Sequence, residues 1–138
     1  MSSELRVYID GASKGNPGPS GIGVVICKDS ETVKNISRYI GHATNNTAEY
    51  TALICGLLEC LDLKADSVII HTDSQLLCRQ INGDYKVKHP GIKELYSQSR
   101  QLISGFKKFS IHRIPREENL GADKLANLAV KEGLRKVR

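Results

Sequence analysis

Four acidic residues of this 138-residue chain stand where chemistry could be done: Asp10, Glu49, Asp73 and Asp123. Hard divalent cations such as Mg2+ prefer oxygen ligands and keep several waters, so they sit on a few convergent carboxylates rather than in closed cages. Two such ions roughly 4 Å apart can clamp the attacking and leaving oxygens of an in-line phosphoryl displacement. Carboxylates from the ends of two strands and the starts of two helices would suit that reaction. Spacing alone does not make them converge.

Each carboxylate also has an ordinary explanation. Asp10 closes the alternating, β-branched and aromatic run Leu5–Asp10, which reads as a strand, and an Asp before Gly11 is a common turn entry. Asp73 follows the short apolar strand Ser67–Thr72, and Asp73-Ser74 is what a helix N-cap needs. In open α/β sheets, however, ligand sites gather beyond the carboxyl ends of strands. Alternation puts Asp10 on the face of Arg6 and Tyr8, and Asp73 on that of Ile69 and His71. Glu49 shares a helical face with Ala52, Leu53, Gly56, Leu57 and Cys60, the face that must pack on the sheet. An unpaired carboxylate buried there costs several kcal/mol unless a cation, from Arg or a metal, removes the cost. The alternative is a solvated first-turn Glu favoured by the helix dipole, and the two readings stand level. Asp123, four residues after Asn119, has the same dipole explanation.

The elements that must position these side chains follow from periodicity. Leu5–Asp10 runs into a dense turn region, Gly11–Pro19. Two further strands, Gly21–Lys28 and Thr32–Ile40, form a hairpin around Asp29–Glu31. A helix from about Thr47 to Leu61 follows, with Thr44, Asn45 or Asn46 as its cap. After Ser67–Thr72 come a helix from Asp73-Ser74 to about Ile81, another opened by Pro90-Gly91 over Ile92–Ile103, and a strand over Phe106–Ile114. A loop spans Pro115–Asn119, and Asn119 caps a last helix reaching about Lys131. The order βββαβααβα implies crossover helices between parallel strands and an antiparallel hairpin before them. We read residues 1–138 as one α/β domain with a mixed sheet.

Composition narrows the function classes. Hydrophobic residues at 40% and charged residues at 25% are ordinary for a folded soluble protein, and no apolar run is long enough to span a membrane. Met1–Leu5 has no basic segment leading into an apolar stretch, so no secretory signal is expected. A net charge of +5 leans weakly toward a polyanionic partner, although part of it sits in Lys131–Arg138, where a solvated helix end suffices. Cys27, Cys55, Cys60 and Cys78 lack zinc-site spacing and read as reduced thiols, which suits a cytoplasmic location.

Four segments carry a resemblance. They are Tyr8-Ile9-Asp10-Gly11-Ala12-Ser13-Lys14-Gly15-Asn16-Pro17-Gly18, Thr44-Asn45-Asn46-Thr47-Ala48-Glu49, Thr72-Asp73-Ser74-Gln75, and Asn119-Leu120-Gly121-Ala122-Asp123-Lys124-Leu125-Ala126. In order and spacing they resemble the signatures of type 1 ribonucleases H, over essentially the whole chain. The resemblance implies a ribonuclease H-like fold, a five-stranded mixed sheet with helices on both faces. It implies an endonuclease that hydrolyses the RNA strand of RNA–DNA hybrids with two Mg2+ ions, or Mn2+ in their place, leaving 5′-phosphate and 3′-hydroxyl ends. Asp10, Glu49, Asp73 and Asp123 match the family's metal-binding carboxylates, with Asp10 bridging the ions, Glu49 and Asp73 to one side and Asp123 to the other. Gly11, Ser13 and Gly15 match the loop that approaches the substrate closely. Asn16, Asn45, Asn46 and Gln75 match minor-groove contacts, and Thr44 a residue that helps hold a DNA phosphate. The implied partner is the hybrid alone, bound by a monomer and without a membrane.

Two departures from the family stand out. Many members carry a His in the loop before the last Asp, whereas this chain has Pro115-Arg116-Glu117-Glu118 there and offers Arg116 as the auxiliary group. The Lys/Arg-rich extension of many relatives is also missing, leaving only Asn82–Gly91 with Lys86, Lys88 and His89, so hybrid binding is expected to be weak and salt-dependent. Rival readings are a non-catalytic hybrid-binding module and another nuclease of the same fold, such as a junction resolvase. A dead module need not keep a mutually repelling acidic cluster.

Overall fold

A computed structural model describes residues 3–136; Met1, Ser2, Val137 and Arg138, the ends of the N-terminal segment and of the basic tail, lie outside it. The chain runs β1 (Glu4–Ser13), β2 (Gly18–Lys28), β3 (Glu31–Ala43), α1 (Asn45–Asp62), β4 (Ser67–Thr72), α2 (Gln75–Ile81), α3 (Pro90–Ile103), β5 (Lys108–Arg113) and α4 (Leu120–Lys136), with a 3-10 turn at Arg116–Glu118. This is the expected element order. The five strands form one sheet in the order β3-β2-β1-β4-β5, antiparallel from β3 to β1 and parallel from β1 to β5.

Alternation along β1 sends Leu5, Val7 and Ile9 into the core under α1, together with Val24 and Ile26 of β2 and Val68 and Ile70 of β4. The opposite face carries Arg6, Tyr8 and Asp10. There α4 lies on β2, and the approach depends on Gly23: a Cβ at this position would stand 2.1 Å from the Ala122 carbonyl oxygen. Helices therefore cover both faces, α1 on one and α4 on the other.

Two expected boundaries are wrong in a way that matters. The first strand does not end at Asp10, because Gly11, Ala12 and Ser13 pair with Ile22, Gly21 and Ser20 of β2. An available ladder partner outweighs turn-forming composition, and the turn shrinks to residues 14–17. On its other edge β1 pairs with β4 only as far as Ile9↔Thr72. Asp10 is thus interior to the hairpin yet first beyond the parallel ladder, where β1 and β4 part. The last helix also continues past Lys131 to Lys136.

Candidate active site

Where β1 and β4 diverge, Asp10 and Asp73 come side by side, and Glu49 joins them from α1. One carboxylate oxygen of each lies within 4.8 Å of the others. Asp10 and Glu49 are buried, at 5% and 6% relative exposure, which settles the two readings of Glu49 in favour of burial. The helix begins at Asn45, earlier than the sequence suggests, so Glu49 sits in its second turn and beyond the reach of solvent at the helix start. Gly11 makes this possible. A Cβ there would lie 2.5 Å from the Ala48 carbonyl carbon and 2.6 Å from the Glu49 nitrogen, so only glycine lets α1 come this close to β1. In return the Gly11 N–H donates to Glu49 Oε1.

The capping explanation for Asp73 does not hold. Ser74, not Asp73, caps α2, its Oγ accepting from the Leu77 N–H at 3.1 Å, so the Asp73 carboxylate is left to the cleft. Thr44 caps α1 by accepting from the Thr47 N–H at 3.2 Å, and Asn45 and Asn46 fall inside the first turn. Asn119 does not use its side chain as a cap. Its buried amide donates to the Ile9 carbonyl at 2.9 Å and to Asp73 Oδ2 at 3.3 Å. Sequence reasoning missed this role, because nothing local distinguishes an inward-turned Asn119 from a capping one.

Asp123, in the first turn of α4, faces Asp10 from the other side of the cleft and is half-buried. Arg116 pairs with it at 3.5 Å through Nη2. Among the described residues no Lys or Arg pairs with Asp10, Glu49 or Asp73. Burial, followed by the charges of Asp73 and Asp123, pushes the Asp10 carboxyl up to about 8. Burial and the charges of Asp10 and Asp73 hold Glu49 well above the usual carboxylate range. Mutually repelling carboxylates of this kind call for a cation, and their all-oxygen donor set is what a hard divalent ion fits.

Two recesses meet at Asp10, Gly11, Asn45 and Asp73. The larger, about 670 Å3, adds Asn16, Thr44, Asn46, Glu49 and also His89, which the sequence did not single out for the site. His89 caps α3 through Nδ1, accepting from the Gly91 N–H at 3.1 Å, and its position directly before Pro90-Gly91 was the available signal. The smaller, about 290 Å3, adds Ser13, Arg116, Asp123 and Asn127. Asn16 Oδ1 accepts from the Asn45 N–H at 2.9 Å, tying the β1–β2 turn to the start of α1. Asn46 Oδ1 is buried without a hydrogen-bond partner. Of the expected substrate residues, Gly15 and Gln75 line neither recess; Gly15 turns the loop at φ +105° and Gln75 is exposed at the first position of α2. His112 lies on β5 as expected, tilted against His71 with ring centroids 6.1 Å apart, and lines neither recess.

A family model described as reverse transcriptase-like matches residues 8–129. Ribonuclease HI of Halobacterium salinarum is 40% identical over 127 residues, covering 91% of this chain and 64% of that protein. The structure of LC11-RNase H1, a protein isolated from compost, in complex with an RNA/DNA hybrid superposes with a TM-score of 0.88 at 41% identity, covering 94% of this chain and 99% of that one. The chain belongs to the type 1 ribonuclease H family. A bifunctional protein of Mycobacterium tuberculosis, Rv2228c, is 45% identical over 129 residues, 92% of this chain but 35% of its own length. The chain therefore spans about a third of that relative and under two thirds of the Halobacterium one. Within the family it is a compact member, with only residues 82–89 between α2 and α3.

Proposed function

We propose that this chain is an endonuclease that hydrolyses the RNA strand of RNA–DNA hybrids, leaving 5′-phosphate and 3′-hydroxyl ends. The observation that carries the reading is the convergence of Asp10, Glu49 and Asp73 within 4.8 Å, with no Lys or Arg paired to them among the described residues. Asp10, Glu49, Asp73 and Asp123 would hold two divalent ions, Mg2+ or Mn2+. Those ions, when bound, supply Lewis-acid stabilisation of a phosphoryl displacement. Asp10, beside Asp73, Asp123 and Glu49 together, would serve as a ligand shared by the two ions.

The remaining residues of the cleft orient the substrate. A 2′-hydroxyl, which donates and accepts, is what distinguishes RNA from DNA at a given site. The unpartnered Asn46 side-chain carbonyl and the Glu49 carboxylate are acceptors at the cleft, and Gly11 and Ser13 line it. Asn16, Thr44 and Asn45 line the larger recess, as contacts to the two strands would require; Gly15 and Gln75 would act from its margin. LC11-RNase H1 is known in complex with an RNA/DNA hybrid, which supports the same partner here. Four free thiols support a reducing, cytoplasmic location, and we take the acting species to be a monomer. Among the described residues no helix is long and apolar enough to cross a membrane.

The test is cleavage of an end-labelled RNA strand in a hybrid with Mg2+, comparing wild type with Asp73→Asn. Cutting by wild type and its loss in a folded Asp73→Asn protein is the expected result. Binding of the hybrid by both without cleavage under Mg2+ or Mn2+ would instead make the chain a non-catalytic binding module.

A further inference from the structure

Beside the carboxylate cleft lies a groove of about 620 Å3 between the end of β1 and α4. It shares Ser13 and Asn127 with the recess that holds Asp10, Asp73 and Asp123, so the two are continuous. Its rim carries Lys14 from the β1–β2 turn and Lys131 and Arg135 from α4, and Leu134 forms part of its floor. All three cations are exposed, and none takes part in an ion pair among the described residues.

The order of residues along α4 gives this groove a direction. Asp123, Asn127, Lys131 and Arg135 recur every four residues and form one stripe down the helix. Asn127 sits directly below the catalytic end, its Nδ2 donating to the Asp123 carbonyl at 2.9 Å and to Asp123 Oδ1 at 3.2 Å. At a rise of about 1.5 Å per residue, Lys131 stands about 12 Å and Arg135 about 18 Å beyond Asp123. Basic residues in a last helical turn answer the helix dipole and need no ligand. That explanation does not reach Lys14, which comes from another element and converges on the same groove. Three unpaired cations around one groove repel one another unless a polyanion runs between them. The eight residues between α2 and α3 contribute only Lys86 and Lys88 as fixed cations.

We infer that this groove carries the sugar-phosphate backbone of the strand held by the carboxylates, beyond the position of cleavage, with Lys131 and Arg135 meeting successive phosphates. The inference rests on the proposed hybrid substrate.

Its test is hybrid binding by the whole chain, measured without divalent metal by fluorescence anisotropy between about 50 and 200 mM salt. Lys131→Ala/Arg135→Ala is compared with Lys93→Ala/Lys107→Ala, which removes the same charge from exposed positions far along the chain. Each phosphate contact contributes roughly 0.7–0.9 to the slope of log affinity against log salt, so the groove variant should lose about 1.5 of slope while the control keeps the wild-type value. The groove variant should also bind about tenfold more weakly at mid-range salt, with an unchanged melting temperature. Equal slopes and affinities for the two double variants would overturn the groove. A wild type that binds with the expected slope but never cuts with Mg2+ would leave the groove standing and remove the hydrolytic reading. A wild type that cuts while the groove variant matches the control would do the reverse.

Discussion

The Asn119 side-chain amide donates to Asp73 Oδ2 at 3.3 Å and to the Ile9 carbonyl at 2.9 Å, so one residue before α4 fixes both strand ends that carry the acidic cleft. Ile9 precedes Asp10, and its carbonyl lies where the β1–β4 ladder stops, which leaves it in need of a donor. Asn119→Ala should cost about 1–3 kcal/mol through that buried unsatisfied carbonyl. Cleavage measured well below the melting temperature should fall further than the loss of folded protein explains, because Asp73 loses its fixed orientation. Thermal melts alongside single-turnover cleavage check both; a fully active Asn119→Ala enzyme would show that Asp73 needs no such support.

Metal-free stability should depend on Asp10 with a definite sign. Its carboxyl is raised from 3.8 to about 8 by burial and by neighbouring carboxylates, so between those pH values the folded chain holds a proton the unfolded chain has released. Stability then falls as pH rises through that window, and Glu49, raised for the same reasons, acts in the same direction. Asp10→Asn removes the penalty. In EDTA it should melt about 5 °C above wild type at pH 8, with the gap closing toward pH 4. Added Mg2+ should raise the melting temperature of wild type and leave that of Asp10→Asn nearly unmoved. Equal melting temperatures at pH 8 would mean that the cluster is not under electrostatic stress.

Gly11→Ala should be among the most damaging small substitutions. The new methyl would meet the backbone of Ala48 and Glu49 at 2.5–2.6 Å, so α1 has to move off β1. We expect a loss of about 3 kcal/mol and cleavage reduced at least about a hundredfold, since Glu49 moves with the helix. Gly41→Ala, at a position with open space around it, provides the comparison for backbone strain alone. Similar activity in the two variants would separate Glu49 placement from the close approach.

Arg116→Ala should reduce turnover about tenfold while leaving the melting temperature unchanged, because the guanidinium is exposed and its one ion pair is with Asp123. On this reading Arg116 would be a positioning residue that acts through Asp123. Arg116→Lys should restore part of the rate, which a purely steric role would not. Turnover equal to wild type in Arg116→Ala would exclude it from the reaction.

Much of the architecture was legible in the residues. The alternation of Leu5, Val7 and Ile9, the helical repeat from Ala48 to Cys60, and the succession of strands and helices are local patterns that burial merely realises. The family resemblance likewise rests on contiguous segments. Ends were less legible, because a ladder is a property of two strands: Gly11–Ser13 has the composition of a turn and becomes strand only because Ser20–Ile22 lies opposite.

The sequence by itself determined which residues could act, namely four carboxylates, each next to a strand end or a helix start, and a basic charge excess. Whether those carboxylates meet was decided by tertiary structure. Glu49 could be a solvated first-turn acid or a buried ligand, and the helical pattern is identical in both cases. The choice fell to Gly11, whose missing Cβ lets α1 close on β1 and bury the acid beside Asp10. Asp73 could have been a cap until Ser74 took that place, and Asn119 could have been one until its amide turned inward to Ile9. The Ser74 cap is a local contact, but the burial of Glu49 and the inward turn of Asn119 depend on contacts 38 and 110 positions apart in the chain, and no local preference encodes a distance of that kind.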